Sequence, residues 1–179
     1  MNIDEACPHV LSMSLTEHRR EAPASVVVHI VTVSDTRTLE TDTSGTLIAS
    51  LLDEGGHRIA GRTVLKDEPA DVRRTVEALV RDESVDVVIT TGGTGITARD
   101  STFEAIDGLL EKRLVGFGEL FRMLSYQEIG AAAMLSRATA GLTTRTVILA
   151  LPGSEHAVRL AMEKLVLPEL GHLVREARR

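Results

Sequence analysis

Gly92, Gly93 and Gly95, interleaved with Thr90, Thr91 and Thr94, form the segment of this 179-residue chain with the clearest chemical use. Glycine removes the side chains that keep a ligand off the backbone. It also permits positive φ angles, so that several N–H groups can turn inward around an anion. Thr91 and Thr94 add hydroxyl donors, and Thr102 lies a few residues behind them. The chemistry expected is a phosphate cradle; the structural alternative is a tight strand-to-helix connection. No Gly-Lys-Ser/Thr follows, as a Walker A loop requires, and the Gly-x-Gly-x-x-Gly dinucleotide spacing is missing.

Carboxylates flank this segment. Arg99 and Asp100 follow the last glycine, and Asp67-Glu68 closes an earlier apolar stretch. Asp67 and Asp100 suit Mg²⁺ beside bound phosphates, since that ion takes hard oxygen ligands and keeps several waters. Helix capping by Asp100, and an acidic first helical turn at Asp67, are the structural uses of the same residues. Ser34 and Asp35 end another apolar stretch, and Pro152-Gly153-Ser154 leads into a helix whose free N–H groups can hold an anion. Gly116-Phe117-Gly118-Glu119 with Arg122 and Ser125 places a carboxylate, a cation and a hydroxyl near one helical face, or a helix start with a local ion pair. His156 follows on a helix, as a general base or a structural histidine.

The elements that must position these groups are legible as runs. Val26–Val33 and Val85–Thr91 are near-continuous apolar stretches, as expected of parallel strands buried on both faces. His57–Lys66 and Thr146–Leu151 complete four strands. Between them, Ser44 is placed to cap a helix with Leu47, Ile48, Leu51 and Leu52 on one face, and Gly55-Gly56 stops it. Pro69 opens a helix with a Val72, Val76, Leu79, Val80 stripe that ends near Ser84. Further helices are expected around Thr102–Leu110 and Glu119–Glu128, and from Ser154 onward; Gly130–Leu142 fits no pattern. Alternating strands and helices imply a three-layer α/β sandwich with a mostly parallel sheet and right-handed crossovers. Ligands in such sheets bind beyond the carboxyl ends of the strands, where Ser34, Asp35, Asp67, the glycine-rich turn with Arg99, Asp100 and Thr102, and Pro152-Gly153-Ser154 fall.

Composition narrows the function. Apolar residues make up 43% and charged residues 26%, the profile of a folded domain. We expect residues 1–24 to be a flexible extension and 25–179 a single domain. Cys7, His9 and His18 in the extension match no metal-ligand spacing. A net charge of −6 and only four aromatic side chains argue against nucleic-acid partners, and no long apolar run argues for a membrane span. One cysteine and no secretion signal fit a cytoplasmic protein.

Val33-Ser34-Asp35, Asp42-Thr43-Ser44-Gly45, the glycine-rich turn with Arg99-Asp100, Gly116 to Ser125, Glu128-Ile-Gly, Ser136-Arg-Ala and Leu151-Pro152-Gly153-Ser154 together resemble the MogA/MoaB family of molybdenum cofactor biosynthesis, and more the MoaB branch. The resemblance runs from about Ser25 to Leu170. It implies a molybdopterin-binding α/β domain, assembled as trimers or hexamers, that moves an adenylyl group from Mg-ATP to the terminal phosphate of molybdopterin and releases pyrophosphate. The molybdate-insertion enzyme is an implied partner. Asp67 and Asp100 match the family's two essential aspartates. Ser34, Asp35, Thr91 to Gly95, Thr102, Glu119, Ser125 and Pro152 to Ser154 are then expected to hold the ligands. A carrier that binds molybdopterin without transferring AMP, a hydrolase of nucleotide diphosphates and a structural scaffold are the other readings.

Overall fold

The structure, a computed structural model, describes residues 21–97 and 100–179, so Cys7, His9, His18 and Arg99 lie outside it. Its frame is a six-stranded sheet in the order β2-β1-β3-β6-β5-β4. The four apolar runs become β1 (Val27–Val33), β2 (Arg58–Leu65), β3 (Val87–Thr91) and β6 (Thr146–Leu151), all parallel to their neighbours within this group. Every residue of β3 and β6 is buried, because helices cover both faces; β2, at the edge, is exposed over its first half.

Alternation along the strands sorts the core in two. Val28 and Ile30 of β1, Val87 and Ile89 of β3, and Val147, Leu149 and Leu151 of β6 face one helical layer. That layer is α1 (Thr43–Glu54), α4 (Val115–Ile129), α5 (Glu155–Ala161) and α6 (Leu167–Ala177). The intervening Val31, Val33, Val88, Ile148 and Ala150 pack on the other layer, with Val72 and Val76 of α2 (Pro69–Arg81) and Ile106 of α3 (Thr102–Asp107). The three-layer sandwich is the architecture expected from the sequence.

Several local expectations change. Asp42, not Ser44, caps α1: its Oδ1 accepts from the Gly45 N–H at 2.8 Å, while Ser44 sits inside the first turn. Helix α2 stops at Arg81, before Ser84, because the Asp82 carboxylate accepts from the Ser84 N–H and hydroxyl and turns the chain. Helix α4 begins at Val115, ahead of the expected Glu119, so Gly116 and Gly118 lie in its first turns; a Cβ on Gly118 would lie 2.7 Å from the Ala138 carbonyl oxygen. Residues 130–142 hold a 3-10 stretch, Gly130–Leu135, and the start of β5 (Thr139–Thr143), which runs antiparallel to β6 and carries the short β4 (Lys112–Arg113) on its far side. The two α-helices after Ser154 are joined by a π-helical stretch, Met162–Val166. The end of the N-terminal extension lies on α6, where Arg175 pairs with Glu21 and Gly171 meets the Pro23 carbonyl.

Candidate functional site

Strand order fixes where the site is. From β1 the chain crosses to β2 on one side, whereas β3 is followed by β6 on the other, so the loops after β1 and β3 part at a topological switch point. Two clefts open there. One, of about 230 Å³, is lined by Thr32, Ser34, Arg37, Asp42, Ser44 and the glycine turn. The second, of about 390 Å³, has Thr94, Gly95, Asp100, Arg137 and Ser154 on its walls. They share Gly92, Gly93 and Gly153, so the glycine backbone is the partition between them. A cleft of about 470 Å³ lies at the opposite end of the strands, where β3 and β6 begin, but Arg81, Arg145 and Arg178 there are balanced by Asp82, Glu83 and Asp86, leaving no preference for phosphate.

The turn uses its glycines for close approach as well as for amides. Gly92 has φ +96°, and a Cβ there would lie 2.2 Å from the Val33 carbonyl oxygen of the neighbouring strand end. Gly93 has φ +63°, with the Thr102 hydroxyl 2.3 Å and Asp67 Oδ2 2.6 Å from where its Cβ would be. The amides are not all available to a ligand, contrary to the simple cradle. The Gly92 N–H donates to Leu151, and a Gly95 backbone hydrogen bond serves the Asp100 carboxylate. Gly93 and Thr94 N–H have no partner among the described residues.

Asp67 and Asp100 approach the turn at Gly93 and Gly95 respectively. Asp67 Oδ1 accepts from the Ser101 hydroxyl at 3.2 Å and the Thr102 hydroxyl at 3.0 Å. Asp100 does not cap α3, whose N-cap is Ser101; its Oδ2 instead accepts from Thr97 Oγ1 at 2.6 Å and Thr97 N–H at 3.0 Å. The Thr97 hydroxyl is the main reason the Asp100 carboxyl is held below the usual carboxylate range; further amide bonds and the Arg137 charge act the same way against a burial cost. Each aspartate thus commits one oxygen to loop hydroxyls and keeps the other out of those bonds.

The other expected ligand groups divide. Ser34 lines the smaller cleft, and its hydroxyl accepts from the Thr36 and Arg37 N–H groups, shaping that loop. Asp35 Oδ1 accepts from the Asp67 N–H at 3.3 Å, so it helps to place Asp67. Thr91 is spent on architecture: its hydroxyl donates to the Pro152 carbonyl at 2.9 Å, and Ser44 similarly donates to Gly153 at 2.8 Å. These two bonds bring the Pro152–Ser154 turn to the glycine turn. Ser154 caps α5 by accepting from the Ala157 N–H. Ser125 is buried and donates to its own helix at the Phe121 carbonyl, at 2.8 Å. Glu119 is exposed on α4 and lines neither cleft, and His156 stands 3.4 Å from Glu128.

Two groups were not singled out from sequence. Arg137 donates to the Thr94 carbonyl at 2.8 Å and to the Gly95 carbonyl, pairs with Glu104 and lies over the Phe103 ring at 4.6 Å. Its only sequence signal was its place in Ser136-Arg-Ala. Asp42, fully buried, takes hydrogen bonds from the Thr32 hydroxyl at 2.7 Å and Arg62 at 3.0 Å as well as capping α1. Its only sequence signal was its place at the head of Asp42-Thr43-Ser44-Gly45.

The mostly parallel sheet, with a glycine turn and two carboxylates at its switch point, is an α/β ligand-binding architecture. Residues 29–172 match the family described as "Probable molybdopterin binding domain", to which the chain belongs. Among its relatives, molybdenum cofactor biosynthesis protein B of Bacillus cereus is 55% identical over 168 residues, 93% of this chain and 99% of that protein. A crystal structure of molybdenum cofactor biosynthesis protein B, 55% identical, superposes with a TM-score of 0.86 over 89% of this chain and 99% of that one. The tungsten cofactor synthesizing protein MoaB from Pyrococcus furiosus, 37% identical, gives 0.79 over 88% of this chain and 100% of that one.

Proposed function

We propose that this protein adenylylates molybdopterin: an oxygen of the pterin's terminal phosphate attacks the α-phosphorus of ATP, a new P–O bond forms, the bond to the β-phosphate oxygen breaks, and pyrophosphate leaves. The observation that carries the reading is the pair of clefts meeting at the Gly92–Gly93 backbone, with Asp67 and Asp100 set against that same turn. Two phosphorylated ligands brought to one partition react as if in one molecule, and phosphoryl chemistry depends mainly on such positioning and on charge stabilisation.

The donor set fits magnesium. Two hard carboxylates, each with one oxygen outside the hydroxyl bonds, leave the remaining positions of an octahedron to water and phosphate. Asp67 and Asp100 would hold the ion, which when bound neutralises charge developing on the ATP phosphates. The free N–H groups of Gly93 and Thr94 hold a phosphate oxygen, and Ser34 and Asp35 keep the β1 loop and Asp67 in place. Thr102 acts through Asp67, and Thr91, Pro152, Gly153 and Ser154 hold the two turns together.

Pyrophosphate release, measured with molybdopterin and Mg-ATP together, tests this. Asp67→Ala and Asp100→Ala should each lower the rate by about 10²–10³ while the fold persists. Release at the wild-type rate from Asp100→Ala sinks the mechanism; molybdopterin binding by the wild type with no release supports a carrier instead.

A further inference from the structure

We propose that Thr97 is a positioning residue for the cation site: by donating twice to Asp100 Oδ2 it holds the carboxylate in an orientation that leaves Oδ1 available to a divalent cation. The inference rests on the reading of Asp100 as a magnesium ligand. Thr97 is exposed in the loop after the glycine turn, touches neither shared cleft wall, and does not enter the transfer step above. Its hydroxyl and its N–H nevertheless converge on one oxygen, at 2.6 and 3.0 Å, while the Asp100 N–H donates back to the Thr97 carbonyl at 3.0 Å.

The reciprocal bonds fix both ends of the loop, so the carboxylate cannot rotate without breaking them. On the other side Gly95 closes the space: a Cβ there would lie 2.5 Å from Oδ2 and 3.0 Å from Oδ1. The arrangement is repeated at the partner carboxylate, where Ser101 and Thr102 hydroxyls both take Asp67 Oδ1. Loss of a group that orients a metal's ligand typically costs about 10–100-fold in affinity. A hydroxyl that only tied the loop together would leave cation affinity untouched.

The test uses Mn²⁺ as the probe, its binding to the full-length protein in the presence of ATP followed by electron paramagnetic resonance. Thr97→Val keeps the N–H and removes the hydroxyl; Thr97→Ser restores it. We expect Thr97→Val to weaken Mn²⁺ by about 10–100-fold and Thr97→Ser to bind as the wild type does, with circular dichroism unchanged in both. Equal Mn²⁺ affinity in Thr97→Val and wild type overturns the proposal, as does an equal loss in both variants or a wild type that binds no Mn²⁺ with ATP. Pyrophosphate release separates the two ideas: wild-type protein that binds Mn²⁺ but releases none removes the transferase reading and leaves the clamp standing.

Discussion

Gly93 is the glycine of the turn that presses on the site's own side chains. Its φ of +63° disfavours any side chain, and the space its Cβ would need is held by Thr102 and Asp67 Oδ2. Gly93→Ala should therefore push Asp67 from its place by a substantial fraction of an ångström. We expect pyrophosphate release to fall about 10²-fold, with folding of the variant checked by circular dichroism; activity within a few-fold of wild type would show that Asp67 need not stay where it is. Arg137 works from the opposite side. It takes the carbonyls of Thr94 and Gly95, which fixes the peptide planes of the turn, and Glu104, whose carboxyl is held below its ordinary range chiefly by the hydrogen bond from Arg137, keeps that guanidinium aimed.

At the scale of the element, the strands were legible wherever burial on both faces made an unbroken apolar run, as in β1, β3 and β6. Strand β5, Thr-Ala-Gly-Leu-Thr, was not: it has no such run, and its hairpin to β6 turns at Thr144, whose φ of +56° occurs without the glycine or asparagine that usually announces it. The glycine turn and Asp67 were found because they follow recognisable strands, and Asp100 because it follows that turn. Thr97, Arg137 and Asp42 were missed because their roles are set by partners distant in space or hidden in loops, not by periodicity. Asp42 caps α1 and also meets Arg62, twenty positions on.

The edge of the sheet carries a pH dependence of its own. His29 on β1 lies over Gly61 of β2 and meets the Thr63 hydroxyl at 2.9 Å. Burial pushes its pKa down against the pull of Asp82, and burial alone does the same to His57. Both histidines take up protons more readily in the unfolded chain. Their contribution to stability is thus complete above the ordinary histidine value, and is lost as pH falls through the lowered folded values. Denaturant midpoints measured from about pH 7.5 down to about pH 5.5 should fall for the wild type and fall less for His29→Gln/His57→Gln, since histidines titrate near 6.5. An identical slope in both proteins would contradict this assignment.

For the whole molecule, the unburied apolar surface is concentrated. Leu120, Met123, Tyr126 and Ile129 recur every three residues along α4 and are exposed, with Met134 and Leu135 just beyond. Phe117 and Leu124 of the same helix, by contrast, pack against the core. We propose that this patch is a contact between copies in the assembly that the family resemblance implies. Light scattering should give three or six times the 19.3 kDa chain mass, and Leu120→Glu/Met123→Glu should reduce it; a wild-type monomer would remove the oligomer from the account. Among the described residues no helix is long and apolar enough to cross a membrane.

The proposed reaction transfers one group across the Gly92–Gly93 partition. ATP labelled at the α-phosphate, incubated with the protein, molybdopterin and Mg²⁺, tests that transfer most directly. We expect label in an adenylylated pterin with one pyrophosphate released for each, and the loss of both in Asp100→Ala. Molybdopterin bound tightly with the label remaining wholly in ATP would contradict it.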